Sequence, residues 1–235
     1  MPDIAPDQGL RIFYRPQDGA PLAHDPFKAI CAPRPIGWIG TRDAQGVANL
    51  APYSFFMPIS SRPNMIGFSS EGLKHTARNA RDSGEFTFSL ATIDLAAEMN
   101  ISAAECPAGS DEFALAGLTK GISQVIDTPF VAASPAAFEC VTTTTTQLTD
   151  RTRSLIDRFL VIGEVVGVHL AESAVVEGRF DIVKAGSIAR AGYRDYVTVT
   201  QTWEMSRPDD EADGPPFEGP FLLFTRALRL DCAPQ

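Results

Sequence analysis

Residues Ser69-Ser-Glu-Gly-Leu-Lys-His-Thr-Ala-Arg-Asn79 hold the densest set of anion-gripping groups in the chain. Ser69 and Ser70 end an apolar run, Met65 to Phe68, and Gly72 marks a turn. Lys74, Thr76, Arg78 and Asn79 then follow within six positions. Lysine supplies a point charge, and threonine and asparagine supply directional hydrogen bonds. A helix beginning here would aim free backbone N–H groups at the same anion. That chemistry suits a phosphate monoester. The stretch also fits a plain strand-turn-helix connection with a solvated basic start.

Two upstream segments bear on the choice. Arg34-Pro-Ile-Gly-Trp-Ile-Gly-Thr41 and Asn49-Leu-Ala-Pro-Tyr-Ser-Phe-Phe56 read as strands around a turn, with Gly46 as its positive-φ residue. Pro52 cannot donate to a ladder, which places it at an edge, a strand end or a bulge. Backbone groups freed there can face a ligand. Phe55 and Phe56 can wall a flat ring or serve as core.

These segments resemble the flavin reductase-like family of FMN-binding split-barrel proteins, which includes flavoredoxin and the small reductase components of two-component monooxygenases. The resemblance also takes in Gly67-Phe-Ser-Ser70, Gly84-Glu-Phe-Thr-Phe-Ser-Leu90, Gly163-Glu-Val-Val-Gly-Val-His169 and Ile188-Ala-Arg-Ala-Gly-Tyr193. In order, they cover roughly residues 28–206. The resemblance implies FMN as cofactor, NAD(P)H as co-substrate, a homodimer and a possible redox partner protein. Lys74, Thr76 and Asn79, with Ser69 and Ser70, would hold the FMN phosphate. The stretch Ala51, Pro52, Tyr53, Ser54 and Phe55 would meet the polar edge of the flavin ring. Trp38 and Thr41 would approach ring or phosphate, and Trp38 is equally suited to the core. His169 and Arg158 are weak catalytic candidates. NADH-using small reductases of the family carry Gly-Asp-His where this chain has Ile156-Asp-Arg158. Two rivals to NAD(P)H-dependent reduction stay open: a flavoredoxin-type electron carrier, and a non-enzymatic flavin-binding protein.

Apolar and β-branched runs recur near 34–42, 46–54, 64–70, 85–91, 136–147, 159–170 and 196–205, separated by Gly, Pro or Asp. Helices are expected over Thr76 to Asp82, over Asp94 to Ser102, and from a Ser110 N-cap through Leu115. Many strands with few helices argue for a mainly β barrel and against βαβ units. With the resemblance, the expected fold is a six-stranded antiparallel split β-barrel of Greek-key order with peripheral helices. The expected organisation is an arm at 1–27, a flavin domain at 28–206 and a tail at 207–235. In that tail an acidic Pro/Gly-rich linker precedes the apolar stretch Pro220-Phe-Leu-Leu-Phe224, which would pack on a partner subunit.

At 235 residues the chain can bury one substantial core. A net charge of -9 disfavours nucleic acid and anionic membrane surfaces. The four cysteines, Cys31, Cys106, Cys140 and Cys232, lack metal-ligand spacing, so no metal site is expected, and Cys140 reads as core. No apolar leader follows Met1 and no run reaches membrane-spanning length, which together point to the cytoplasm.

Overall fold

The computed structural model describes residues 11–205. All its regular elements fall within the compact unit ending at Val199. The expectations for the linker and apolar tail lie outside the described residues, as do residues 1–10 of the arm. Within the arm, residues 11–26 hold only a short 3-10 turn, Pro16–Asp18.

Seven strands form the main sheet: β1 Gly37–Arg42, β2 Ala48–Tyr53, β3 Phe56–Ser61, β4 Asn64–Glu71, β5 Glu85–Leu90, β6 Ala136–Thr149 and β7 Leu155–Leu170. They are antiparallel in the order β2-β1-β5-β6-β7-β4-β3. The two edge strands are consecutive in the chain, separated only by Ser54 and Phe55. A flat sheet of this size would hold its edges about 29 Å apart, yet three peptide steps reach only about 11 Å. The sheet must therefore curl until its edges meet. The Ser69 N–H, donated to the Phe55 carbonyl at 2.8 Å, pins that junction. No ladder joins β2 to β3 among the described residues, so the barrel is split.

The expected count of six is corrected to seven. The strand missed is β3, which carries Pro58 and a register shift between Pro58 and Ser60. A proline is tolerated there because β3 lies on an edge. The run expected at 34–42 is two pieces: Arg34–Pro35 pairs with Ile188–Arg190 in a small separate sheet. The run expected at 196–205 shrinks to Tyr196–Thr198 in that sheet. The hairpin at 43–47 forms as expected. Asp43 Oδ1 accepts from the N–H of Gln45 and of Val47, both at 2.9 Å, and Gly46 takes φ 81°.

Helix α1, His75–Ser83, lies where the sequence expects it and stops at Gly84, whose φ of 75° only glycine adopts freely. It buries Thr76, Ala77 and Ala80, whose small size lets it sit close to the sheet. Helix α2, Ala96–Ile101, follows a 3-10 turn. The one-turn α3, Glu112–Leu115, is capped by Asp111, whose Oδ1 accepts the Ala114 N–H at 3.3 Å. The expected Ser110 cap is thus one residue early, since the aspartate beside it reaches the free N–H.

Alternation along β1 divides the core in two. Ile39 faces the barrel interior with Phe56, Phe68, Phe86, Phe88, Cys140 and Val161. Trp38 faces the other way, with Leu50, Met99, Phe113, Val131 and Ile188. Cys140 is core as expected, and burial raises its thiol pKa.

Candidate functional site

The turn at Gly72, with φ 73°, delivers the chain from β4 into α1. Lys74 is the residue before the first turn, in extended conformation, and no side chain caps the helix. The first-turn N–H groups therefore lack the usual side-chain partner. Lys74 Nζ reaches Glu105 Oε1 at 3.4 Å, a loose pair with both side chains mostly in solvent. Such a pair contributes little and gives way readily to a better anion.

Beside this helix start, Ser70 is 1% exposed, and its Oγ has no hydrogen-bond partner. The Tyr53 hydroxyl is its neighbour, together with Thr76 and the charge of Lys74. Burial pushes the Tyr53 phenol up from its ordinary value, and those three neighbours only partly offset it. A buried hydroxyl without a partner is costly unless something outside the chain completes it. A phosphate oxygen fits: Ser70 can donate, the helix N–H groups can donate, and Lys74 adds charge.

Behind the cradle runs a second layer of polar groups. Thr76 Oγ1 donates to Asn49 Oδ1 at 3.1 Å, and Thr41 Oγ1 donates to the same oxygen at 3.2 Å. Asn79 Nδ2 reaches Thr41 Oγ1 at 3.4 Å. Asn49 Nδ2 and the Leu50 N–H both donate to Glu112 Oε2, at 2.9 and 3.2 Å. Thr41 and Thr76 thus spend their side chains inward. The sequence reading gave both to the ligand, but only the Thr76 backbone N–H is left for it.

The ring-edge candidates lie on and just after the open edge. Ala51, Pro52 and Tyr53 end β2, and Ser54 and Phe55 turn the corner to β3. The Leu50 N–H points away from β1, toward Glu112, so by the two-residue period Pro52 faces the same unpaired side. Its missing N–H costs no ladder bond. Ser69 sits at the junction, its N–H held by Phe55. The two phenylalanines part company: Phe56 stacks on Phe88 in the core at 4.9 Å, while Phe55 is 42% exposed, with Lys28 Nζ 5.9 Å from its ring centroid.

Two candidates go elsewhere, and a third lies on the surface near the cradle. Trp38 is fully buried and gives its indole N–H to Ser102 Oγ at 2.9 Å, leaving no ring surface for a ligand. His169 Nε2 meets Glu139 Oε1 at 2.6 Å, and its ring packs on Phe130. It lies eleven residues along β7 from Arg158, roughly 36 Å of extended strand. Arg158 is nearer the cradle. It pairs across the ladder with Glu71 and meets its Oε1 at 3.1 Å, on the surface next to the Gly72 turn.

The sequence reading did not place Asn49 or Glu112 in this polar layer. An asparagine inside the apolar run of β2 was the available signal. Glu112 gave none beyond a first-turn acid. No helix among the described residues is long and apolar enough to cross a membrane.

Residues 30–183 match the family model described as "Flavin reductase like domain". An uncharacterized protein of Deinococcus radiodurans is 38% identical over 192 residues, 76% of this chain and 82% of its own length. Among solved structures, nitrilotriacetate monooxygenase component B from Bacillus cereus superposes with a TM-score of 0.76 at 29% identity, over 84% of this chain and all of that one. Flavoredoxin of Desulfovibrio vulgaris (Miyazaki F) superposes with a TM-score of 0.65 at 24% identity, over 76% of this chain and 92% of that one, a likeness of fold.

Proposed function

The chain belongs to the flavin reductase-like family, and on that premise we propose that it binds FMN and passes electrons from NAD(P)H through the flavin to an acceptor. The unpartnered Ser70 hydroxyl beside the uncapped start of α1 carries the reading. Bound FMN would supply the hydride and electron chemistry. The polypeptide's part is to hold and orient it. Lys74, Ser70 and the first-turn N–H groups of α1 neutralise the phosphate. The Pro52 carbonyl on the open edge and the backbone N–H groups of Ser54 and Phe55 meet the polar edge of the ring, and Phe55 covers part of its face. The 28–206 segment is the flavin domain in this reading.

The edge strand β3 exposes Met57 and Ile59 beside Phe55. A second copy of the chain covering that edge would wall the ring, so the working form is a homodimer. The Bacillus cereus relative is one component of a monooxygenase, which favours a partner protein as the final acceptor.

The segment Ile156-Asp157-Arg158 favours a second reading, a flavoredoxin-type carrier reduced by another protein. It lacks the family's nicotinamide-placing histidine, and Arg158 is engaged by Glu71. Its guanidinium can still leave that exposed pair to bind a pyrophosphate or a 2′-phosphate bidentately. Steady-state oxidation of each nucleotide with FMN present tests this, on a sample shown by light scattering to run at twice 25.3 kDa. The expected result is slow turnover favouring NADPH, with the preference lost in Arg158→Ala. No oxidation of either nucleotide would hand the function to the carrier reading. Reduction by neither nucleotide nor partner protein would leave a flavin-binding protein without enzymatic activity.

A further inference from the structure

We propose that the cleft between the 43–47 hairpin, the outward side of α1 and the 108–112 loop binds the adenylate end of a dinucleotide, with Glu112 reading the adenine and His75 and Arg78 holding the phosphate. The inference goes beyond the flavin reading and rests on it only for what lies next door, the phosphate cradle at Ser70 and Lys74.

The cleft encloses about 470 Å³, within the range of small-molecule sites. One wall holds a buried acceptor without a donor. Glu112 lines the cleft and is 6% exposed. Its Oε2 accepts from Asn49 Nδ2 at 2.9 Å and from the Leu50 N–H at 3.2 Å. A backbone N–H can only donate, so Oε2 is fixed inward as an acceptor. Oε1 has no hydrogen-bond partner among the described residues. A buried carboxylate oxygen left bare is costly, and a donor on a ligand relieves it.

The cations stand on another wall. His75 and Arg78 lie one turn apart on α1 and both line the cleft. Arg78 Nη2 donates to the Leu73 carbonyl at 3.2 Å, which folds the guanidinium back toward Lys74 and leaves its other N–H groups for an anion. The acids of the cleft are engaged elsewhere. Asp43 Oδ1 accepts from the N–H of Gln45 and of Val47, and Asp82 Oδ1 meets Arg81 Nε at 2.7 Å.

The matching ligand carries a donor at one end and an anion at the other. Adenine offers its 6-amino donor beside the N1 acceptor. Glu112 Oε1 and the Ser110 hydroxyl supply the opposite pair, and Val47 and Ala108 add apolar wall for a flat base. The phosphate falls to His75 and Arg78. Because Lys74 directly precedes His75, a phosphate held here adjoins one held in the cradle, as the two phosphates of a dinucleotide do. FAD and a pyridine nucleotide both carry that adenylate, and the test separates them.

The probe is 5′-AMP, titrated into the protein by calorimetry. Wild type should bind it saturably. Inosine 5′-monophosphate, with a 6-oxo acceptor in place of the amino donor, should bind at least about tenfold more weakly. In Glu112→Gln, Leu50 and Asn49 hold the amide oxygen inward, so the amide nitrogen turns to the cleft and the preference between the two nucleotides should reverse. Arg78→Ala, on the surface, should weaken both by about tenfold and keep the wild-type preference, and it carries the test should Glu112→Gln fail to fold. AMP should displace FAD or NADPH while leaving FMN bound. Displacement of FAD assigns the cleft to the flavin, and displacement of NADPH alone assigns it to the pyridine nucleotide. Equal affinity for the two monophosphates, displacement of FMN, or displacement of neither dinucleotide overturns the proposal. Wild type that binds FMN but not AMP overturns only this inference, and wild type that binds AMP but not FMN overturns only the flavin reading.

Discussion

Trp38→Ala is expected to lower the stability of the fold by about 3–5 kcal/mol, the usual cost of emptying a large aromatic site. Trp38 has no exposed surface and packs with Leu50, Met99, Phe113, Val131 and Ile188. It stands on β1, whose neighbours β2 and β5 hold it on both sides, so the cavity cannot collapse freely. The substitution also removes the indole N–H from Ser102 Oγ, whose own proton goes to the Met99 carbonyl at 2.8 Å. Trp38→Phe keeps most of the volume and should cost about half as much. Urea unfolding followed by far-UV circular dichroism measures both. A loss under about 1 kcal/mol for the alanine variant would mean the ring is not core and would reopen its assignment to the flavin.

The second large effect lies two strands away in the same sheet, on β6. Glu139 is fully buried on β6 and accepts four hydrogen bonds. Three come from the consecutive N–H groups of Gln124, Val125 and Ile126, at 2.8, 2.8 and 3.0 Å, and the fourth partner is His169 at 2.6 Å. Burial alone would raise the pKa of this carboxyl. The donors from Gln124, His169, Val125 and Ile126 outweigh it and bring the pKa down to about 2. A carboxyl with a depressed folded-state pKa contributes stability above its unfolded value, here 4.5, and loses it as pH falls toward 2. The contribution at neutral pH is about 3 kcal/mol. Glu139→Gln should therefore be less stable than wild type by about that amount above pH 4.5, and the gap should close as pH approaches 2. Urea titrations over a pH series provide the measurement. A gap that stays constant with pH would show that the carboxylate's charge does not hold the 124–126 loop.

Local features were legible where local rules decide them. The 43–47 hairpin is written in Asp43 and Gly46, and α1 in its helix formers and the glycine that stops it. Strand β3 was not legible, because Pro58 argues against a strand unless the strand is known to be an edge. That knowledge needs the whole sheet order. The polar groups of the 69–79 turn stand out in the sequence, but their pairing within the fold does not. Ser70 and Lys74 lie at the helix start, and Tyr53, which the sequence reading gave to the ring edge, lies beside them. Thr76 and Thr41 turn inward because Asn49 offers an oxygen between them, and Asn49 is set by Glu112, 63 residues away. No spacing rule reaches that far. His169 likewise finds Glu139 only through the pairing of β6 with β7.

The claim at the centre is that the Ser70–Lys74 turn and the start of α1 hold the phosphate of FMN. Binding of FMN and of riboflavin to wild type and Lys74→Ala, followed by flavin fluorescence, tests it most directly. Wild type should bind about one FMN per chain. A lysine that touches only the phosphate contributes a charge-assisted bond of roughly 1.5–3 kcal/mol. Its loss should weaken FMN by about tenfold or more and leave riboflavin nearly unchanged. Equal losses for the two ligands would mean that Lys74 serves the fold, and unchanged fluorescence with wild type at micromolar protein would mean that no flavin site exists there.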